Sequence, residues 1–574
     1  MKRLALGLLA LLMTACRGDV PHAEYIAAAT VLPQPAQQTA AVALNDVAPT
    51  VNNVLSTADH PGLTWNSITD VVPALKPLYD AEPDHLLWFD GLKPERNIDG
   101  ALTAVAAAGD YGLDPGDYDV PFLTERWAAV KAGTATGPEL AHFDLALSVA
   151  AARMIKAVYV GRIDPATMDW GYNVHEKKID VTAVAREVRQ GKGLGATLDA
   201  LEPPVSHYTR AKKTLAAYKA LEKAGEPELV PELSKGQTKV EPGKAWAGVP
   251  QLAARLRVFG DLPAGAAVTG TTYSKPLVAA VKAFQNRHVM DADGIIGAGT
   301  IRAINVTLAQ RVRQIELAME RMRWLPELSK APNVFVNVPL FRLWATDPTT
   351  GAEPLRMNVV VGKSLNHKTP IFVETMEYVV FRPYWNPPYG ITVKEIIPHA
   401  RRDASYMDRE DLEIVASGAD DAKSLPPTPE NLAAVVSGKL YLRQRPGPQN
   451  SLGLAKFIFP NADNVYMHGT PAQQLFSRVR RDFSHGCIRL EDPARFAEWV
   501  LRDNAEWPRE KIDAAMQGER PTQVNLKQRL TVVLFYDTVH VNSDGVVYFA
   551  DDIYAHDKAL DAALVGGYPY ATKQ

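Results

Sequence analysis

DFSHGCIRLEDPARFAEWVL, residues 482–501, is the stretch from which the fold of the C-terminal half is read. Asp492 suits a helix N-cap and Pro493 a first helical position, so the spacing predicts a helix over 494–501. Cys487 then sits on the turn or strand end just before that helix. Around this stretch, beyond Pro332, the chain runs through VFVNV, MNVVV, EYVVF, LYLRQ, VYMHG, LTVVLFY and VVYF. These β-branched and aromatic runs, several of them bounded by Gly, Pro or Asn-Asp turns, predict a mainly β domain over 333–574. SDG at 543–545 is a hairpin signal. A charged, helix-prone interruption over about 388–438 reads as an α-rich insertion between two strands, either a capping lid or tolerated decoration.

Upstream the pattern changes to helix. Phe143, Leu147, Ala150, Met154 and Val158 mark one buried helix face, stopped by GRIDP at 161–165. LLWFD near Trp88 and YGLDPGDY at 111–118 offer no chemistry, and residues 61–243 read as a helical scaffold whose polar end, 222–243, is a linker. Leu252, Leu256 and Phe259 share a face before Gly260, and Leu277, Val278, Val281 and Phe284 repeat that spacing in a compact segment over 244–305. AVKAFQ followed by DADGIIGAGT resembles the small three-helix peptidoglycan-binding repeat; as an EF-hand loop it would place Ile295 and Arg302 at ligand positions, which excludes calcium. A connecting helix is expected over 306–332, with Val312, Ile315, Met319 and Met322 as its apolar stripe.

The length of 574 residues allows three or four domains, and 47% apolar with 22% charged residues excludes wholesale disorder. A net charge of −3 gives no global electrostatic case for nucleic acid. Two cysteines rule out a disulfide-stapled scaffold or a four-thiolate cluster. The first, Cys16, follows a basic start and an apolar run too short to span a bilayer, which reads as a signal peptide over 1–15. Thr14-Ala15-Cys16 resembles a bacterial lipobox, which implies lipidation of Cys16; Arg17 after it implies an outer-membrane destination in the periplasm. An ordinary cleaved signal is the alternative. Residues 16–60, rich in Ala, Pro, Gln and Thr, are expected to be a flexible tether.

The second cysteine has chemistry around it. His485 lies two residues before Cys487 and His468 nineteen before, both beside glycine, with Ser484, Gly486 and Arg489 adjacent. A thiol of pKa about 8.5 needs a base to become nucleophilic, and an imidazole can form a thiolate–imidazolium pair and later protonate a leaving amine. Gly486 lets backbone N–H groups approach an oxyanion. Arg489 either favours thiolate, holds a substrate carboxylate, or is a plain packing residue. His468, His485 and Cys487 are also three potential zinc ligands, but His-x-Cys gives a cramped bite and no HExxH or CxxC accompanies it. No metal or cofactor is expected.

HGT at 468–470 followed by SHGCIRL from Ser484 resembles the active-site signature of the L,D-transpeptidases with a YkuD-type catalytic domain. RMRWLP at 321–326, YWNPP at 384–388, RQRPGPQNSLGLAKFIFPN at 443–461 and DDIY from Asp551 resemble the large periplasmic branch of that family. The resemblance implies a multidomain α+β chain: helical scaffold, peptidoglycan-binding domain and β catalytic domain with a capping insertion. It makes Cys487 the acyl-accepting nucleophile and His468 the general base. Ser484 and His485 shape the site, and the backbone at Gly486 and Cys487 supplies the oxyanion hole. Tyr384, Trp385, Pro446, Gly447 and Asn450 would line the substrate groove. Gly469 stands where close relatives often carry Asp, which leaves the third member of any triad open, a backbone carbonyl among the candidates; Arg489 stands where the wider family often has Asn, which leaves the substrate contact of that position open. The implied reaction is 3→3 cross-linking of peptidoglycan stems, with carbapenems as covalent inhibitors. Carboxypeptidase, exchange or lipoprotein-linking activity uses the same acyl-enzyme, and a non-catalytic wall-binding lipoprotein is the alternative from another class. Expected partners are peptidoglycan, the outer membrane and other cell-wall enzymes.

Overall fold

The computed structural model describes residues 46–82, 85–91, 93–94, 97–328, 331–365, 367–403 and 405–573. The expected signal peptide, Cys16 and the tether as far as residue 45 lie outside them. The tether was expected to run to residue 60, but Val47–Thr57 is a helix whose Val47, Val51, Val54 and Leu55 are buried in the scaffold core. Valines and a leucine at helical spacing outweigh the polar composition that suggested an unpacked segment.

The scaffold is organised on the 24-residue helix Gly137–Val160. Thr136 and Glu139 close a capping box at its start, Gly161 ends it at φ +94, and the expected face from Phe143 to Val158 is buried. The small domain has helices Val249–Val258, Lys275–Arg287 and Ala298–Ile304 around their own core. Buried Gln285 explains its motif: the side-chain amide donates to Asp293 Oδ1 and Ile295 O and accepts from Gly294 N, pinning the DG turn to the helix. The linker is not free throughout, because Val230 is buried in this core and both its N–H and its carbonyl bond Asn305.

Helix Leu308–Trp324 joins the parts. Its Glu320 is fully buried, accepting from Ile163 N at 3.1 Å and Arg323 at 3.0 Å, and pairing with Arg162. RMRWLP is therefore an interdomain joint: Arg321 pairs with Asp557, and Trp324 packs edge-on against Trp170.

The C-terminal region is built on a nine-stranded sheet in which strand Leu355–Gly362 also pairs with Arg342–Thr346, closing eight of the strands into a barrel. Strands Phe372–Phe381, Ala455–Ile458, Met467–His468 and Ile488–Leu490 lie side by side within it. The helix after Cys487 runs Pro493–Val500, and the Asp492 side chain accepts from Arg495 N. The insertion has a core of its own and is mixed rather than simply α-rich. LYLRQ, expected in the main domain, is strand Tyr441–Gln444 of a three-stranded sheet with Leu412–Val415 and Ser424–Leu425, packed on helices Ile397–Arg402 and Pro429–Val436. The insertion's neck closes where Trp385 and Gln444 exchange two backbone hydrogen bonds, so it extends past residue 438.

Candidate active site

Strand register builds the site. Strand Met467–His468 pairs parallel with Ile488–Leu490, setting His468 opposite Arg489. On its other side it pairs antiparallel with Ala455–Ile458, setting His468 opposite Lys456. Met467, Ile488, Leu490, Ala455 and Phe457 point into the barrel core. By alternation, Tyr466, His468, Arg489 and Lys456 face the other way. Lys456, His468 and Arg489 thus form a row across three adjacent strands.

Cys487 is half-buried at the edge of this row. Burial pushes its thiol up; the Tyr466 backbone and hydroxyl and the charges of Lys456 and Arg489 pull the other way. His468 is buried, and burial first, then Arg489, lower it to about 3. Its Nδ1 lies against the Gly469 carbonyl; a carbonyl only accepts, so Nδ1 carries the hydrogen and Nε2 keeps its lone pair. The Leu452 carbonyl is a second neighbour. The partner at Nδ1 is thus a backbone carbonyl; at rest His468 is held neutral and the Cys487 thiol protonated, not the thiolate–imidazolium pair expected.

The Ser484–Cys487 turn holds itself together. Ser484 Oγ donates to Cys487 O at 2.6 Å and accepts from Gly486 N at 3.1 Å. Gly486 has φ +116, a conformation that disfavours any side chain. Because its N–H is spent on Ser484, only the Cys487 amide of the two expected oxyanion donors has no partner among the described residues. His485 turns towards the cap: its Nε2–H donates to Glu395 Oε1 at 3.1 Å, and the His367 ring packs edge-on at 4.5 Å. Glu395 lies on a π-helical turn, Thr392–Ile396.

The turn rests on residues that motif reading missed. Thr369 Oγ1 donates to Gly486 O at 2.8 Å and accepts from Gly362 N at 2.9 Å. Tyr554, of DDIY, donates to Gly362 O and accepts from Thr369 N. A Cβ on Gly362 would overlap His367 O, so this loop folds back where only glycine fits. Gly453, at φ +63, brings the SLG loop against the Gly469 backbone with no room for a Cβ. Lys456 and Tyr466 were also missed: the lysine ammonium sits 4.1 Å from the Tyr466 ring centroid.

The expected groove residues cluster at the neck of the insertion. Asn450 is buried, with its amide nitrogen on the carbonyls of Pro383, Gln444 and Arg445 and its oxygen accepting from Leu452 N, so it stitches the cap's neck and leaves nothing for substrate. Gly447 is buried and accepts from Asn450 N, and Pro446 O accepts from Arg382. Tyr384 packs its ring 4.0 Å from the Arg443 guanidinium, which is paired with Glu413, and Trp385 packs on the cap core. These five lie at the neck that joins the insertion to the barrel. A cavity of about 370 Å³ lies in the scaffold beside Trp88 and Ile155, with no thiol or imidazole in its lining.

Residues 332–533 match the "L,D-transpeptidase catalytic domain", 73–215 the "Scaffold domain", and 247–304 the "Putative peptidoglycan binding domain". A curated Haemophilus influenzae protein named "Putative L,D-transpeptidase" is 25% identical over 254 residues, 44% of this chain and 50% of that protein. The match thus spans about half the length of that relative. The chain therefore carries an L,D-transpeptidase catalytic domain together with a scaffold domain and a peptidoglycan-binding domain.

Proposed function

We propose that the chain is a cysteine-dependent L,D-transpeptidase that forms 3→3 cross-links between peptidoglycan tetrapeptide stems. The observation that carries this is the juxtaposition of Cys487 with His468, a buried imidazole whose Nδ1–H meets the Gly469 carbonyl, on the strand paired with the one that Cys487 leads into. Such a base takes the thiol proton as sulfur attacks the L-centre carbonyl of the third stem residue. The Cys487 amide is the donor left for the oxyanion. The imidazolium then protonates the departing D-alanine amine, leaving a thioester. The side-chain amine of a second stem resolves it, returning its proton through His468. Water or a free D-amino acid would resolve the same thioester by the same geometry. Purified disaccharide-tetrapeptide should give cross-linked dimer with the wild-type protein and none with Cys487→Ala; dimer from that variant removes the assignment.

The fused wall-binding domain supports peptidoglycan as the partner. The resemblance of the segment before Cys16 to a lipobox supports Cys16 as a lipid anchor to the outer membrane, on the periplasmic side. Labelled palmitate should enter the wild-type chain and not Cys16→Ala, and equal labelling contradicts the anchor.

A further inference from the structure

Lys456 and Arg489 stand in register on either side of His468, facing away from the barrel core towards Cys487. Both are half-buried. Neither forms an ion pair or donates a hydrogen bond to any described residue, and Arg489 Nε is shielded from solvent with no partner. Lys456 is held only by the face of Tyr466, 4.1 Å from the ring centroid. Elsewhere most buried arginines meet a carboxylate, while Arg311 and Arg481 are held by carbonyl and amide oxygens. Arg153 has Asp70, Arg287 has Asp261, Arg443 has Glu413, and Arg162 and Arg323 share Glu320. Two desolvated cations without a counter-charge are costly. Neighbouring strands are about 4.8 Å apart, so the two backbones are about 10 Å apart, close enough for both long side chains to reach one anion above His468. The nearest acidic group of their own would be the thiol, which burial keeps protonated at neutral pH.

We infer that Lys456 and Arg489 form a carboxylate-binding subsite that aligns the donor stem peptide over Cys487. This rests on the proposed stem-peptide reaction and adds to it which chemical group of the donor is read. A donor stem offers two carboxylates near the scissile bond: the terminal carboxylate of the leaving D-alanine and the side-chain carboxylate of the third residue. The bidentate fork of Arg489 is suited to either, with Lys456 as a point charge beside it.

The test measures binding of tetrapeptide to full-length Cys487→Ala protein, and single-turnover acylation in the Cys487 protein. Three ligands are compared: the free tetrapeptide, its C-terminal amide, and its side-chain amide. One amide should bind at least tenfold more weakly, and which one it is identifies the carboxylate. In Lys456→Met and Arg489→Gln that discrimination should fall below threefold, and Arg489→Lys should restore part of it. KM or binding should move more than the maximal acylation rate. Removing an unpaired cation should also leave thermal stability unchanged or raised, which separates lost recognition from lost folding. If both amides bind like the free peptide, or the variants keep the discrimination, the subsite is refuted. If no tetrapeptide binds and Cys487 is not acylated by it, the proposed reaction itself fails.

Discussion

Thr369→Val keeps the volume at position 369 and removes one oxygen. That oxygen donates to Gly486 O at 2.8 Å and accepts from Gly362 N at 2.9 Å, and the residue is about 1% exposed. Valine would leave a buried carbonyl and a buried N–H without partners, each costing about 1–3 kcal/mol. Some relaxation would recover part of this, so a total of about 2–4 kcal/mol is expected. The Gly486 turn is held on one side by Ser484 and on the other by Thr369, so the loss falls on the alignment of Cys487. If about 2 kcal/mol of it separates the aligned turn from a loosened one, the acylation rate drops about thirtyfold. Single-turnover acylation by a carbapenem, followed by intact mass, reads that rate, and Thr369→Ser should return it to near wild type. A Thr369→Val protein acylated within twofold of wild type, with unchanged thermal stability, would refute the view that this hydroxyl positions the nucleophile.

His468 is neutral in the fold to about pH 3, against an ordinary value of 6.5, so between those limits the unfolded chain takes up a proton that the folded chain refuses. Stability should therefore fall as pH drops from 6.5 towards 3, by up to about 1.4 kcal/mol per pH unit for this one proton. His468→Gln should flatten that slope in denaturant titrations, and an unchanged slope contradicts the buried neutral imidazole. With the thiol pushed up, Cys487 alkylation should keep rising through pH 8 and beyond, and a plateau at pH 6 contradicts it. Glu320→Gln leaves Arg323 without its counter-charge and Arg162 with only the Asp117 contact at 3.5 Å, and should destabilise the scaffold–helix joint by about 3–5 kcal/mol; a loss under 1 contradicts the joint. Glu395→Gln weakens a partly exposed contact worth about 1 kcal/mol or less, so hydrogen exchange across residues 389–402 should quicken a few-fold, and identical exchange contradicts a latch at His485.

The elements read from periodicity are those whose burial is one-sided. The Phe143–Val158 face, the helix after Asp492 and the strand runs are in place because apolar spacing alone determines which face is covered. Cys487, His468, Ser484 and Gly486 were legible because their chemistry is local in sequence. Thr369, Tyr554 and Lys456 were not: each meets the site only through strand pairing and loop return, and a lone Thr, Tyr or Lys carries no spacing signal. Of the five expected groove residues, YWNPP and the Pro446–Asn450 run flank the insertion in sequence, and the buried hydrogen bonds of Asn450 go to its neck, a role that its place in the sequence did not reveal. The helix over Val47–Thr57 was hidden by the composition of the residues before it.

The central claim is that Cys487 carries the stem peptide as a thioester while His468 acts as the base. Intact-mass measurement of the full-length protein mixed with disaccharide-tetrapeptide tests it most directly. A transient adduct of the mass of the stem less D-alanine is predicted on Cys487, absent in Cys487→Ala and strongly slowed in His468→Ala, with cross-linked dimer following its decay. Dimer formed with no adduct, or an adduct that survives in Cys487→Ala, would contradict it.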